Sequence, residues 1–230
     1  MTRETFLRRF PRLYHLAWGG AWPIIQQKGL MSTETLLDAY HVVGEQRTAI
    51  LEEHRPNPVP LGQGVVVRDT RNLDPKRLPN ILTGGATPQQ YRLLLNQKVF
   101  LWPELERLNR MLGAYLHQPQ TLIVIESQRL VPDSRYFFDH VELSRINSGT
   151  IQHDAPQRGL DVFNDPLIVE DDAVVAEVVF RGIIPADVLN ASIGAFEVYS
   201  IENDRFERLY PDDPTLVWKY HRNANGEVCN

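Results

Sequence analysis

The stretch that most restricts the fold is "TLIVIES", residues 121 to 127. Leu122, Ile123, Val124 and Ile125 run without a polar interruption, and three of the four are β-branched. A short run of this kind, with no polar face, reads as a fully buried strand. A chain of 230 residues, 43% of them apolar and 23% charged, is long enough to bury such a strand without disulfide or metal staples. Other strand signals are "GVVVRDT" (64–70), "KVFLW" (98–102), "YFFDHVELS" (136–144), "AVVAEVVFR" (173–181) and "AFEVYSI" (195–201). A short apolar run at 13–17 joins them.

Helix signals dominate the first half. Residues 4–12 are amphipathic and break at Pro11, and Pro23 suits the first turn of a helix over 22–28 with Gly29 as a left-handed cap. Ser32 or Thr33 can cap a helix over 33–40 that turns Leu36 and Leu37 inward, and 44–54 is a further charged helix. Residues 56–60 are an extended, proline-bounded linker. Thr87-Pro88 opens a helix over 88–96, and Leu105, Leu108, Met111, Leu112 and Tyr115 give helical spacing over 103–116. Helices early and strands late, without regular β-α-β alternation, predict an α+β fold with a twisted, mostly antiparallel sheet.

Composition removes several function classes. A net charge of −5 disfavours general binding to phosphate backbones, leaving only local arginine groups such as Arg8, Arg9 and Arg12, or Arg107 and Arg110. No signal peptide or membrane span is present, so a cytoplasmic chain with no membrane role is expected. The single Cys229 allows no internal disulfide, and seven scattered histidines show no metal-ligand spacing, so no metal is expected. There is no GxxxxGK[ST] loop and no GxSxG elbow, and "GQG" (62–64) precedes a strand instead of following one.

Two polar residues stand inside apolar strands. His15 sits among Leu13, Tyr14, Leu16 and Ala17, as a satisfied core histidine or as a ligand anchor. Glu177 has three apolar residues on each side. A carboxylate there is costly unless it is paired or opens onto a cleft; otherwise it belongs to an edge strand and points to water.

Tyr14-His15, then Trp22-Pro23-Ile24-Ile25, then Gly29-Leu30, together with "AEVVFRGIIPADVL" (176–189), resemble ADP-ribosyltransferase-like domains, among them the DarT-type DNA-modifying toxins and the tRNA 2′-phosphotransferases. The whole chain is most similar to an uncharacterised bacterial family sharing "VRD" (67–69), "VFLW" (99–102) and "INSG" (146–149). Two departures stand out: the DarT-type "HIT" reads "HLA" here, and the arginine of the loop after the second core strand has only Arg107, Arg110 or Arg68 as counterparts. The resemblance implies one domain over 1–230 with a core at about 13–201, a split and mostly antiparallel sheet, and NAD as substrate.

It also implies roles. Glu177 would be catalytic, and His15 would donate a hydrogen bond that fixes the ribose. Trp102 or Tyr14 would stack on nicotinamide, and Arg68 would meet the pyrophosphate. Asn147, Ser148 and Gly149 form either a cleft-lining turn or a plain surface turn. The acceptor would be a macromolecule, nucleic acid or protein, and a toxin or defence effector would come with a neutralising partner protein. Hydrolysis of NAD without an acceptor, or a non-catalytic nucleotide-binding module, are the alternatives.

Overall fold

The apolar run at 121–127 becomes one of the two inner strands of a four-stranded sheet. The structure is a computed structural model that describes residues 1–104, 106–108, 111, 115, 120–200, 205–210, 221–222 and 228–229, with the backbone alone from 194 onward. Helix α1 (Arg3–Arg9) is capped by the Thr2 side chain and leads into β1 (Arg12–Trp18). Helix α2 (Trp22–Lys28) has Pro23 in its first turn and is followed by β2 (Leu30–Met31). Ser32 caps α3 (Thr33–Ala39), which precedes α4 (Gly44–Glu52) and the hairpin β3 (Val59–Gly62) and β4 (Val65–Val67). A short α5 (Leu78–Ile81) precedes α6 (Pro88–Asn96), where Thr87 and Gln90 form a reciprocal capping box.

Strands then prevail. β5 (Lys98–Leu101) and β6 (Gln120–Glu126) are followed by short helices α7 (Ser127–Leu130) and α8 (Ser134–His140), then by β7 (Val141–Ser144). β8 (Glu177–Arg181), β9 (Ile183–Ile184), α9 (Ala186–Ser192), β10 (Ile193–Ser200) and β11 (Arg205–Tyr210) complete the core. The larger sheet has the order β1-β6-β10-β11 and the smaller the order β5-β8-β7, with every named strand pair antiparallel. The α+β expectation therefore holds.

One bridge joins the two sheets. The Tyr14 amide donates to the Trp102 carbonyl at 2.9 Å, and the Trp102 amide returns a bond to the Tyr14 carbonyl at 2.8 Å. The main core lies around this junction, with Leu13, Leu101, Ile123, Phe137, Val178 and Phe180 all buried. Among the described residues no helix is long and apolar enough to cross a membrane.

Five sequence expectations change. Residues 136–140 are helical because the Asp133 side chain caps the Tyr136 amide at 2.8 Å; the helix then buries Phe137 against Phe6. Residues 173–176 approach β7 without joining the ladder, except that the Ala176 amide donates to the Ser144 carbonyl, so Glu177 opens β8 instead of sitting in mid-strand. β4 ends at Val67, which leaves Arg68 just beyond it, while part of the expected linker pairs as β3. Gly29 has positive φ but an extended ψ of 175°; a Cβ there would collide with the Ile184 carbonyl oxygen. Of the helix expected at 103–116, Leu105, Arg110 and Leu112 lie outside the described residues, as does His117.

Candidate functional site

The Tyr14–Trp102 bridge decides where the polar residues meet. Leu101 pairs with Val178, so Trp102, the residue after β5, lies beside the start of β8, and His15 follows Tyr14 on β1. His15, Trp102 and Glu177 consequently line one cavity of about 780 Å³, together with Arg68, Asn147 and Gly149. Its wall also includes Arg107, Tyr115, Asp69 and Arg71.

The His15 Nδ1 lies 2.8 Å from the Phe100 carbonyl oxygen. A carbonyl can only accept, so Nδ1 carries the proton. Burial, reinforced by the Arg68 charge and opposed by the Phe100 bond, lowers the imidazole pKa to about 4. The ring is neutral near pH 7, and Nε2 is then a lone-pair acceptor. This corrects the donor role expected from the sequence: His15 receives a hydrogen bond from any hydroxyl it meets. Trp102 lies beside it, with ring centroids 6.4 Å apart and planes 22° from parallel.

Tyr14 does not line the cavity. Strand alternation turns its side chain to the opposite face of β1, where it packs with Leu16, Leu108, Leu122, Val124 and one side of Trp102. Of the two aromatic residues expected to stack on a ligand, Trp102 is the one in position.

Glu177 is 5% exposed and starts the central strand of its sheet, which removes the edge-strand reading. Both carboxylate oxygens accept from the Ser148 amide at 3.1 Å, and Oε2 also accepts from the Ser148 hydroxyl at 2.7 Å. Burial outweighs these bonds and the more distant charges of Arg158 and Arg107, raising the carboxyl pKa to about 7. The proton on Glu177 is therefore exchangeable near neutral pH.

Asn147 and Ser148 form an internal turn, not a plain surface one. Arg158, only 3% exposed, donates from Nη1 to the carbonyls of Asn147 at 3.2 Å, Ser148 at 2.9 Å and Thr150 at 3.1 Å. The Tyr91 hydroxyl adds a bond to the Ser148 carbonyl at 3.0 Å. With the carbonyls held outward, the Ser148 amide is presented to Glu177. Arg107 ties the same turn to the opposite wall through Asn147 Oδ1 at 3.2 Å.

Arg68 lines the cavity as a tethered cation. Its Nη2 donates to the Ala17 carbonyl at 2.8 Å and to Gln120 Oε1, and the guanidinium lies over the Tyr115 ring at 4.9 Å. Burial lowers its pKa to about 10, with Tyr115 and Asp69 opposing, so it remains charged at neutral pH. Among the described residues no cluster of three or more His, Cys, Asp or Glu could hold a metal ion.

Sequence reading missed Arg158, Tyr91 and Asp69. Arg158 sits in a polar loop with no periodic signal, and its partners become visible only when residues 147–150 fold over it. Asp69 could have been noticed as a second charge directly after Arg68 in an apolar context.

The class defined by these features is an α+β domain with a largely apolar cavity, set with a few polar and charged side chains, at the junction of two antiparallel sheets. Residues 11–182 match a family of unknown function (DUF7002), and the chain belongs to that family. No curated protein matches the chain.

Proposed function

We propose that the chain is an ADP-ribosyltransferase-like enzyme that uses NAD as substrate and transfers ADP-ribose to a macromolecular acceptor, nucleic acid or protein. The observation that carries this reading is the convergence of His15, Trp102 and Glu177 on one cavity large enough for a dinucleotide's reacting half. The two antiparallel sheets are read as the split sheet of that fold.

In the proposed step the bond between the ribose C1′ and the nicotinamide nitrogen breaks. Its electron pair stays with nicotinamide and neutralises the pyridinium, leaving an oxocarbenium-like sugar. The acceptor nucleophile then forms the new bond to C1′. Ionised Glu177 stabilises the cationic sugar and takes the acceptor's proton. His15 Nε2 accepts from a ribose hydroxyl and fixes the sugar, while Trp102 walls the nicotinamide. Arg68, Arg71 and Arg107 give the cavity wall the positive charge that suits a pyrophosphate. A toxin or defence effector with a neutralising partner is the biological setting that fits this chemistry.

The test is nicotinamide release from NAD, measured for the wild-type chain and for Glu177→Gln. Release by the wild type that falls about 100-fold or more in the variant is expected. A wild-type chain that binds no NAD and releases no nicotinamide, with any candidate acceptor present, would remove the proposal.

A further inference from the structure

Arg158 and Glu177 are buried charges of opposite sign, and among the described residues neither has a direct counterion. Arg158 is 3% exposed and donates to neutral backbone carbonyls, from Nε to Pro156 at 3.3 Å and from Nη1 to Asn147, Ser148 and Thr150. Glu177 is 5% exposed and accepts from the amide and hydroxyl of Ser148. Buried ions are normally paired, because an uncompensated charge inside a protein is costly. Two such groups in one region need an account that serves both.

Both charges are bonded to a single peptide group. The Asn147 carbonyl accepts from Arg158 Nη1 at 3.2 Å, and the Ser148 amide, at the other end of that peptide unit, donates to both Glu177 oxygens at 3.1 Å. A peptide group carries a dipole of about 3.5 D whose negative end is the carbonyl oxygen. Here the negative end faces the guanidinium and the positive end faces the carboxylate. Hydrogen bonds in series polarise one another, so the cation makes the Ser148 amide a stronger donor to the anion. The result is an ion pair with a peptide between its members. Two other titratable groups act on the same carboxyl: Arg107, bonded to Asn147 Oδ1, and Tyr91, bonded to the Ser148 carbonyl. Neutral His15 shares the cavity wall with it.

We propose that Arg158 is a positioning residue for Glu177, acting on the carboxylate through the Asn147–Ser148 peptide without touching the substrate. The proposal rests on the catalytic role given to Glu177 above. When the carboxyl loses its proton, the guanidinium behind the peptide stabilises the anion that forms. Without that charge, burial would keep Glu177 protonated to higher pH, and a protonated carboxyl cannot take the acceptor's proton.

The experiment is a pH titration of the intact chain by NMR, with carbon-13 in the glutamate carboxyls and nitrogen-15 in the arginine side chains, read beside the pH profile of nicotinamide release. The Glu177 signal is the one lost in Glu177→Gln. In the wild type the Arg158 guanidinium resonances are expected to shift with the midpoint of the Glu177 carboxyl, and to stop doing so in Glu177→Gln. In Arg158→Gln that midpoint should rise by about one pH unit, so that release at about pH 6 falls about 10-fold. Arg158→Lys keeps the charge and should recover part of both. A purely structural arginine would lower the melting temperature and the rate at every pH while leaving the midpoint unmoved, and that result overturns the proposal. Should Arg158→Gln fail to fold, the wild-type titration decides, and guanidinium resonances indifferent to Glu177 overturn it. Coupled titrations in a chain that releases no nicotinamide would remove the proposed function and leave the link between the two charges standing. Release with uncoupled titrations would do the reverse.

Discussion

Glu142 and Glu177 are two buried carboxylates on neighbouring strands of one small sheet, and their surroundings differ in kind. Glu142 on β7 faces Lys98 of β5 and Arg181 of β8: Oε2 meets the Lys98 ammonium, and Oε1 accepts from Arg181 at 2.6 and 3.0 Å. Its charge is matched by two cations drawn from the other two strands. Among the described residues, Glu177 at the opposite end of β8 accepts only from the neutral amide and hydroxyl of Ser148. Three strands tied by an ion pair make a fastening. A carboxylate held by neutral donors keeps its direction while burial decides its charge. The sheet thus carries an ion-paired carboxylate at one end and, at the other, a carboxyl in the cavity wall whose proton is exchangeable.

The largest effect is expected at the fastened end. Glu142→Gln leaves the Lys98 ammonium buried without its counterion, and should lower stability by about 3 kcal/mol or more in denaturant titration. A variant as stable as the wild type would abolish the contrast. Glu177→Gln should do the reverse, retaining the melting temperature and ligand binding while turnover drops about 100-fold. Equal loss of stability in both variants would make Glu177 another fastening. Next, His15→Ala should weaken NAD binding by about 10-fold with little change in melting temperature. Unfolding of that variant, with binding unchanged in the folded fraction, would return His15 to a purely core role.

The smallest effect is a pair of opposed slopes against pH. Between about 4.5 and about 7 the folded state keeps the Glu177 proton that the unfolded chain has released, so this group makes stability fall as pH rises. Between about 4 and 6.5 the unfolded chain protonates His15 while the folded one does not, so this group makes stability rise with pH. The two partly cancel in the wild type over the shared range. Denaturation curves from pH 4.5 to 6.5 should show a rising slope in Glu177→Gln and a falling slope in His15→Ala. Parallel profiles in both variants would show that neither group is coupled to folding as described.

Much of the fold was legible because its signals are local. Ser32, Thr87 and Pro88 announce helix starts through their own side chains, and the run from Leu122 to Ile125 admits no exposed face. His15 and Glu177 were legible as polar interruptions of apolar stretches. Residues 136–140 were not, because aromatic content suits a strand while the single Asp133 cap commits the segment to a helix. The support of the site was hidden for a different reason. Tyr91 lies far in sequence from Ser148 and Arg158 follows it in an irregular loop, and only the folded turn lets one guanidinium serve three carbonyls. Tyr14 misled because proximity in sequence to His15 places it on the other side of the strand.

That alternation gives the junction between the sheets a further meaning. β1 is held on one edge by seven aligned partners of β6, from Arg12 opposite Glu126 to Trp18 opposite Gln120, and on the other by the two bonds at Tyr14. A slip of one residue along β6 would exchange the faces of every side chain on β1. It would withdraw the imidazole from the cavity and put a phenol in its place. The identity of the group that meets the ligand is thus written in strand register, and the Tyr14–Trp102 bridge acts as its detent.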